Sequence, residues 1–189
     1  MERIAKGIIH TENPTEHWGF LPIEDQTILD LGCGINNQEF TPTPMHWIMN
    51  KAKLVIGIDP SKESYDWFKQ NYNVRNFINI MDYVDRIEKF QLYFGYYKPT
   101  VAKIDVEGAE IYLNALDQEY LSNTRHIGIE YHNLSCLISC ENLLKNAGYE
   151  LEYYKFPHLD IDYQGVLYAH KKSVTQKVRK EWQVPTQEE

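Results

Sequence analysis

Short apolar segments alternate with longer helical patterns along most of this chain, and this alternation constrains the fold more than any other feature. The segment TILDL, residues 27–31, is the first clear strand, and LVIGI, residues 54–58, is the second. Strands that alternate with helices are typical of an α/β fold with a largely parallel sheet. The further expected strands span residues 74–80, 100–106, 126–131, 149–156 and 165–170.

The last two expected strands are joined by a short loop, residues 157–164, and therefore form a hairpin in which one strand runs against the others. We predict an α/β fold with a Rossmann-like, doubly wound, seven-stranded sheet that is mostly parallel, with one antiparallel strand in the C-terminal hairpin. This domain covers residues 27–172. Residues 1–26 form an N-terminal appendage that we hypothesise to be a lid, and residues 173–189 form a C-terminal helix and polar tail.

Length and composition fit one folded domain. Hydrophobic residues make up 43% of the 189 residues, which is enough for a sizeable core. No segment approaches the roughly 18 apolar residues of a membrane span. The net charge of −8 disfavours binding to nucleic acid, and three cysteines are too few for a disulfide scaffold. We therefore expect a cytoplasmic protein that binds neither nucleic acid nor membrane.

Polar residues follow the expected strands at the edge where open α/β sheets bind ligands. The glycine turn Gly32–Gly34 follows the first strand, and Asp59 ends the second. Glycine permits positive φ and close approach of a ligand, and the turn is expected to aim its N–H groups into the crevice. An acid at Asp59 can accept hydrogen bonds from both hydroxyls of a ribose. Asn37 replaces the third glycine of a dinucleotide fingerprint, so the pattern favours a nucleoside with a small charged tail, such as S-adenosylmethionine (SAM).

Two motifs of this region, ILDLGCG and VIGIDPS, resemble the first two motifs of class I SAM-dependent methyltransferases, and the resemblance covers about residues 27–170. KIDVEGAE, residues 103–110, is similar to the signature of FkbM-type methyltransferases, which are mostly O-methyltransferases, and HIGIEYHN is also similar to that family. The resemblance implies SAM as cofactor and S-adenosylhomocysteine as product. The implied cofactor contacts are Gly32 and Gly34 along the methionine part with Cys33 as a small filler residue between them, Asp30 toward the amino group, Asp59 on the ribose and Asp82 at the adenine amino group.

Side chains at the ends of the fourth and fifth strands are the candidates for proton transfer. Alternation places Lys103 and Asp105 on one strand face, and Glu130 and His132 on one face of the next strand. His132 is the candidate general base, because an imidazole with a pKa near ~6.5 accepts a proton at neutral pH, and Glu130 is expected to orient it. Lys103 is expected to form a structural ion pair with Asp105. The candidate catalytic residues are therefore His132, Glu130 and Asp105, although His132 could instead cap the next helix.

A divalent cation held by Asp105, Glu107, Glu130 and His132 is a less favoured alternative, because no fixed ligand spacing supports it. We predict no metal site. The sequence as a whole predicts a SAM-dependent methyltransferase that methylates oxygen of a small molecule, a sugar-like hydroxyl. Two alternatives stay open: a non-catalytic SAM-binding or scaffold protein, and another Rossmann-type enzyme such as an NAD-dependent dehydrogenase.

Overall fold

A computed structural model describes residues 3–9, 17–34, 41–157 and 159–171. In this part of the chain, eight strands form one sheet with the order β1-β7-β8-β6-β5-β2-β3-β4. The strands β1 to β8 span Ala5–Ile8, Thr27–Leu31, Leu54–Asp59, Phe77–Met81, Val101–Ile104, His126–Tyr131, Tyr149–Lys155 and Gly165–Lys171. The helices α1 to α4 span Thr43–Met49, Lys62–Asn71, Ile87–Tyr97 and Leu134–Asn146, and two 3₁₀ helices span Ala109–Ala115 and Gln118–Leu121.

Neighbouring strands run parallel except at β8, which pairs antiparallel with both β6 and β7. The predicted Rossmann-like sheet with one reversed strand in a C-terminal hairpin is therefore confirmed. The predicted number of seven strands is wrong, because Ala5–Ile8 of the N-terminal appendage adds an edge strand parallel to β7. This strand is only four residues long and no side chain on it is buried, so no apolar pattern marks it in the sequence.

The strand side chains alternate between two packed layers. Leu29 belongs to the layer that the sheet forms with α3, α4 and the 3₁₀ helices, which we call the helical face. Its neighbour Ile28 packs in the opposite layer with Trp18 and Trp47, which we call the N-terminal face. By the same alternation, the side chain of Asp30 lies on the N-terminal face.

Side-chain caps start the two helices that follow β3 and β6. The Ser61 hydroxyl accepts a hydrogen bond from the N–H of Ser64 at 3.1 Å, and the Asn133 side chain accepts one from the N–H of Cys136 at 2.9 Å. Each cap satisfies a backbone N–H that the first helical turn leaves free. Because Asn133 is the cap of α4, the alternative in which His132 caps this helix is wrong.

The segments before β4 and after β5 differ from the sequence prediction. The strand expected from residue 74 begins at Phe77, whose N–H donates to the Val74 carbonyl at 3.3 Å within a turn. β5 ends at Ile104 rather than at residue 106, and the sequence pattern predicts a helix over residues 107–116. Glu107 and Gly108 instead adopt φ values of 53° and 99°, and the next helix starts at Ala109 and is of the 3₁₀ type. The predicted C-terminal helix and tail, residues 173–189, lie outside the described residues. Among the described helices, none has the length and apolar character needed to cross a membrane.

Candidate active site

The glycine turn after β2 is held by hydrogen bonds within the protein. The N–H groups of Gly32 and Cys33 donate to the Ile58 carbonyl at 2.8 and 3.3 Å, and the N–H of Gly34 donates to the Asp59 carboxylate. The expectation that these N–H groups point into the crevice is therefore wrong, because β3 and the side chain at its end already accept them. The turn is therefore held against the end of β3.

Both glycines of this turn are required by their surroundings, for different reasons. Gly32 has φ 73°, and a Cβ atom there would lie 1.6 Å from the Asp105 carbonyl oxygen. Gly34 does not have a positive φ, but a Cβ atom there would lie 2.6 Å from Oδ2 of Asp59. Gly32 is therefore the glycine of this turn that adopts a positive φ, whereas Gly34 leaves room for the Asp59 carboxylate.

Asp59 ends β3 with its carboxylate facing the glycine turn. Its Oδ1 accepts a hydrogen bond from the N–H of Ser61 at 2.8 Å. Partial burial raises the pKa of the Asp59 carboxyl above its ordinary value, although the backbone donors of Ser61 and Gly34 work in the opposite direction. The structure thus places Asp59 where the sequence predicts it, next to the turn and at the carboxyl edge.

Cys33 and Asp30 are both buried beneath this edge. The Cys33 side chain is 1% exposed and packs at Gly57 of β3, as expected of a small filler residue. Asp30 is fully buried, and its Oδ2 accepts hydrogen bonds from Thr43 and Trp47 at 2.6 and 2.7 Å. Its Oδ1 has no hydrogen-bond partner within the described part of the chain and lies 3.4 Å from Nζ of Lys103, and its orientation toward the cofactor amino group stays a prediction.

Asp82 follows β4 and binds the helix that comes after it. Oδ1 accepts a hydrogen bond from the N–H of Tyr83 at 2.9 Å, and Oδ2 accepts from Lys89 at 2.5 Å and from the Tyr93 hydroxyl. Burial alone would raise the pKa of the Asp82 carboxyl, but these donors outweigh it and the pKa lies below its ordinary value. Asp82 therefore anchors α3, and its contact with adenine stays a prediction.

Four carboxylates surround the imidazole of His132. Nδ1 lies 3.3 Å from Oε1 of Glu110. On the opposite side of the ring, Nε2 lies 3.4 Å from Glu107, 3.8 Å from Asp105 and 3.9 Å from Glu130. The Glu110 carboxylate is the largest cause of a rise in the His132 pKa to about 9, and burial only partly offsets it. At neutral pH the imidazole is therefore mostly protonated, unlike a histidine with an ordinary pKa.

Glu130 contacts a different histidine more closely than the one expected. Its Oε2 lies 3.0 Å from Nε2 of His17, and its Oε1 accepts a hydrogen bond from Gln164 at 2.9 Å. Burial alone would raise the pKa of the Glu130 carboxyl, but His17 and Gln164 outweigh it and the pKa is lowered. The expectation that Glu130 orients His132 is corrected accordingly, because Glu110 is the carboxylate nearest to that ring.

Lys103 and Asp105 form the expected ion pair, with Nζ and Oδ2 at 3.4 Å. Lys103 is 2% exposed. Burial alone would lower the pKa of its ammonium, but the carboxylates of Asp105 and Asp30 outweigh it and the pKa is raised. Burial raises the pKa of the Asp105 carboxyl, and Lys103 opposes this rise.

The cation alternative has a geometric basis in three of its four expected ligands. Ligand atoms of Asp105, Glu107 and His132 all lie within 4.8 Å of one another. A protonated His132 explains the close approach of these carboxylates without a metal ion. The Lys103 ammonium also already lies beside Asp105. We assign no metal to this cluster.

Sequence reasoning missed Glu110 and His17 as parts of the site, and it included Trp18 only within the N-terminal segment hypothesised to be a lid. Glu110 lies within KIDVEGAE, so this motif is the signal that could have found it. No local pattern marks His17 or Trp18, because their contacts Glu130 and Lys103 come from distant strands.

Comparison with known proteins places the chain by its fold. No family model matches it. No curated protein matches it either. Among solved structures, it is similar to a SAM-dependent methyltransferase from Mesorhizobium loti, with 12% identity and a TM-score of 0.56 over 82% of this chain and 95% of that one. It is also similar to magnesium protoporphyrin IX methyltransferase from Synechocystis with bound SAM, with 14% identity and a TM-score of 0.52 over 79% and 72% of the two chains.

A third similar structure is a protein of the NADB-Rossmann superfamily from Streptococcus agalactiae, with 10% identity and a TM-score of 0.56 over 91% of this chain and 73% of that one. This chain covers 61% of the length of one similar solved structure and 96% of another. Identities this low show the fold alone. The chain therefore has a Rossmann-like α/β fold, and SAM-dependent methyltransferases are among the solved structures that share it.

Proposed function

We propose that this protein is a SAM-dependent methyltransferase, of the FkbM type, that methylates a hydroxyl oxygen of a sugar-like small molecule. The observation that carries the proposal is the position of Gly34 against Asp59. A Cβ atom at residue 34 would lie 2.6 Å from the Asp59 carboxylate, so glycine there lets the turn and an acid at the carboxyl edge of the sheet lie this close together. A carboxylate in that position suits the paired hydroxyls of a ribose.

The residues at this edge fit the cofactor by their chemistry. Asp59 would accept hydrogen bonds from the ribose hydroxyls, and the backbone of Gly32 to Gly34 would line the methionine part. Asp82 is the proposed neighbour of the adenine amino group, next to Lys89 and Tyr93. When bound, SAM supplies a methyl group already activated on a sulfonium, so the protein mainly has to align the acceptor oxygen and remove its proton.

We assign proton removal to the cluster of His132, Glu130 and Asp105. Because the His132 pKa is raised to about 9, only a small fraction of the imidazole can accept a proton at pH 7. That fraction grows as the pH rises toward 9. Among the carboxylates around the ring, the Asp105 carboxyl has a raised pKa and so is a better proton acceptor than an ordinary aspartate.

Calorimetric titration with SAM, S-adenosylhomocysteine and NAD tests the class of protein. We expect both sulfur-containing ligands to bind and NAD to give no heat of binding. Binding of NAD alone would support the dehydrogenase alternative. A second assay follows methyl transfer to hydroxylated small molecules, including sugars, with amines as the comparison. Binding of SAM without transfer to any acceptor would support the non-catalytic SAM-binding protein.

A further inference from the structure

A buried lysine contacts the glycine turn and two acids of the site at once. Nζ of Lys103 donates a hydrogen bond to the Gly32 carbonyl at 2.5 Å. The same nitrogen lies 3.4 Å from Oδ1 of Asp30 and 3.4 Å from Oδ2 of Asp105. We propose that Lys103 is a positioning residue that locks the cofactor turn to Asp105, an inference that rests on the proposed function.

The position of Lys103 within the sheet makes these contacts obligatory. Lys103 pairs in register with Asp30 of β2 on one side and with Gly128 of β6 on the other. A lysine that is 2% exposed cannot reach water, so its ammonium must be satisfied by protein groups. Its donors therefore go to the carbonyl and carboxylate oxygens that stand at the ends of β2 and β5.

The two segments joined by Lys103 also touch through their backbones. The N–H of Asp105 donates to the Leu31 carbonyl at 3.0 Å, and any Cβ atom at Gly32 would collide with the Asp105 carbonyl oxygen. Movement of the turn would therefore move Asp105 as well. Lys103 adds a side-chain bridge to this backbone contact, and the bridge fixes the direction in which the Gly32 carbonyl points.

The Trp18 ring of the N-terminal segment packs against the ammonium of Lys103. Nζ of Lys103 lies 5.5 Å from the centre of the Trp18 ring, within the range of a cation–π contact. The ring occupies the space that Gly128 leaves free, since a Cβ atom there would lie 3.0 Å from it. Trp18 thus keeps water from the ammonium and strengthens its electrostatic contacts.

The competing explanation is that Lys103 only balances the charge of Asp30. Three variants separate the two explanations: Asp30→Asn, Lys103→Met, and the double variant with both changes. Lys103→Met alone leaves Asp30 uncompensated and is expected to fold poorly. The double variant removes both charges and is expected to recover much of the lost thermal stability, so the comparison that matters is between the double variant and Asp30→Asn.

If Lys103 positions the turn, the double variant binds S-adenosylhomocysteine at least about tenfold more weakly than Asp30→Asn, as expected for loss of a charged hydrogen bond. Without ligand, the amide hydrogens of Gly32, Cys33 and Asp105 exchange with solvent faster in the double variant than in Asp30→Asn. The exchange rates of amides in the edge strand β4 are the same in both variants. Equal affinities of these two variants would overturn the proposal. If the unaltered protein binds no S-adenosylhomocysteine, the proposed function fails. The hydrogen-exchange experiment then tests the positioning role of Lys103 by itself, and equal exchange rates at the turn in the two variants would overturn that role.

Discussion

Glu110 lies with its Oε1 atom 3.3 Å from Nδ1 of His132 while its two oxygens accept hydrogen bonds from the N–H groups of Val106 and Gly108, each at 2.9 Å. This carboxylate is fully buried. Glu110 therefore holds the loop after β5 in place and also stabilises the protonated form of the His132 imidazole. The spacing within KIDVEGAE has a physical explanation here, since Glu110 reaches back over the turn that Glu107 and Gly108 make.

The first prediction concerns the ionisation of His132. Its imidazole should titrate with a pKa of about 9 rather than the ordinary 6.5, because Glu110 stabilises the protonated ring. Nuclear magnetic resonance of the histidine ring protons across pH 5 to 10, with His132→Asn to assign the signal, measures this directly. A His132 signal that titrates near 6.5 would contradict the electrostatic account of the cluster.

The same pKa predicts how stability depends on pH. A histidine whose pKa is raised in the folded protein stabilises it fully below 6.5, and this contribution disappears as the pH rises through about 9. The difference in free energy of unfolding between the unaltered protein and His132→Asn should therefore shrink from pH 6 to pH 9.5, by at most about 3 kcal/mol. Denaturant unfolding at the two pH values measures it, and a constant difference would argue against the raised pKa.

A second prediction concerns catalysis by His132. If it is the general base, His132→Ala should lower turnover by ~10²–10⁴-fold and leave SAM binding nearly unchanged. Turnover of the unaltered protein should rise with pH toward about 9, and the variant should lose this rise. The cation alternative predicts instead that a chelator abolishes activity and that Asp105→Asn or Glu107→Gln costs as much as His132→Ala. Full turnover of His132→Ala on a true acceptor would place the base elsewhere.

A third prediction concerns the glycine turn. Gly34→Val should abolish S-adenosylhomocysteine binding, because its side chain must displace the Asp59 carboxylate that lies 2.6 Å from the position of Cβ. Gly95→Ala on α3 is the matched control and should bind normally. Circular dichroism and thermal melts verify that both variants fold. Normal binding by folded Gly34→Val would show that the turn does not touch the ligand.

A fourth prediction concerns the N-terminal segment as a lid. His17 lies 3.0 Å from Glu130, and Trp18 lies over Lys103, so residues 17 and 18 adjoin the proposed site. Amide exchange of residues 17–23 should slow on addition of S-adenosylhomocysteine, because a filled site holds the segment in place. His17→Gln weakens the contact with Glu130 and should reduce this protection. Identical exchange with and without ligand would count against the lid.

The fold was predictable from the sequence wherever local pattern and sheet position agree. The buried strands Thr27–Leu31 and His126–Tyr131 have the predicted bounds, because short, mostly apolar segments bounded by turns leave little choice. The edge strand Ala5–Ile8 was not predictable, since it buries little and is defined by pairing with β7. The loop at Glu107 was missed because positive φ at a glutamate has no sequence signal.

The candidate site was predictable to the extent that its residues follow strands. Asp59, Asp105 and His132 lie at the carboxyl edge as expected, because parallel strands bring their ends together. The partners of these residues were not predictable in the same way. Whether Glu130 contacts His132 or His17 depends on packing between segments distant in sequence, which alternation along one strand cannot specify.

The most direct test of the proposed cofactor site is calorimetric titration of S-adenosylhomocysteine into the unaltered protein, Asp59→Ala and the control Asp66→Ala. Asp66 is on α2 and pairs only with the exposed Lys62 among the described contacts, so its removal should not affect binding. Asp59→Ala removes the proposed acceptor of the ribose hydroxyls and should weaken binding by ~10- to 100-fold, the worth of hydrogen bonds to a charged group. Equal affinity of folded Asp59→Ala and Asp66→Ala would contradict the account.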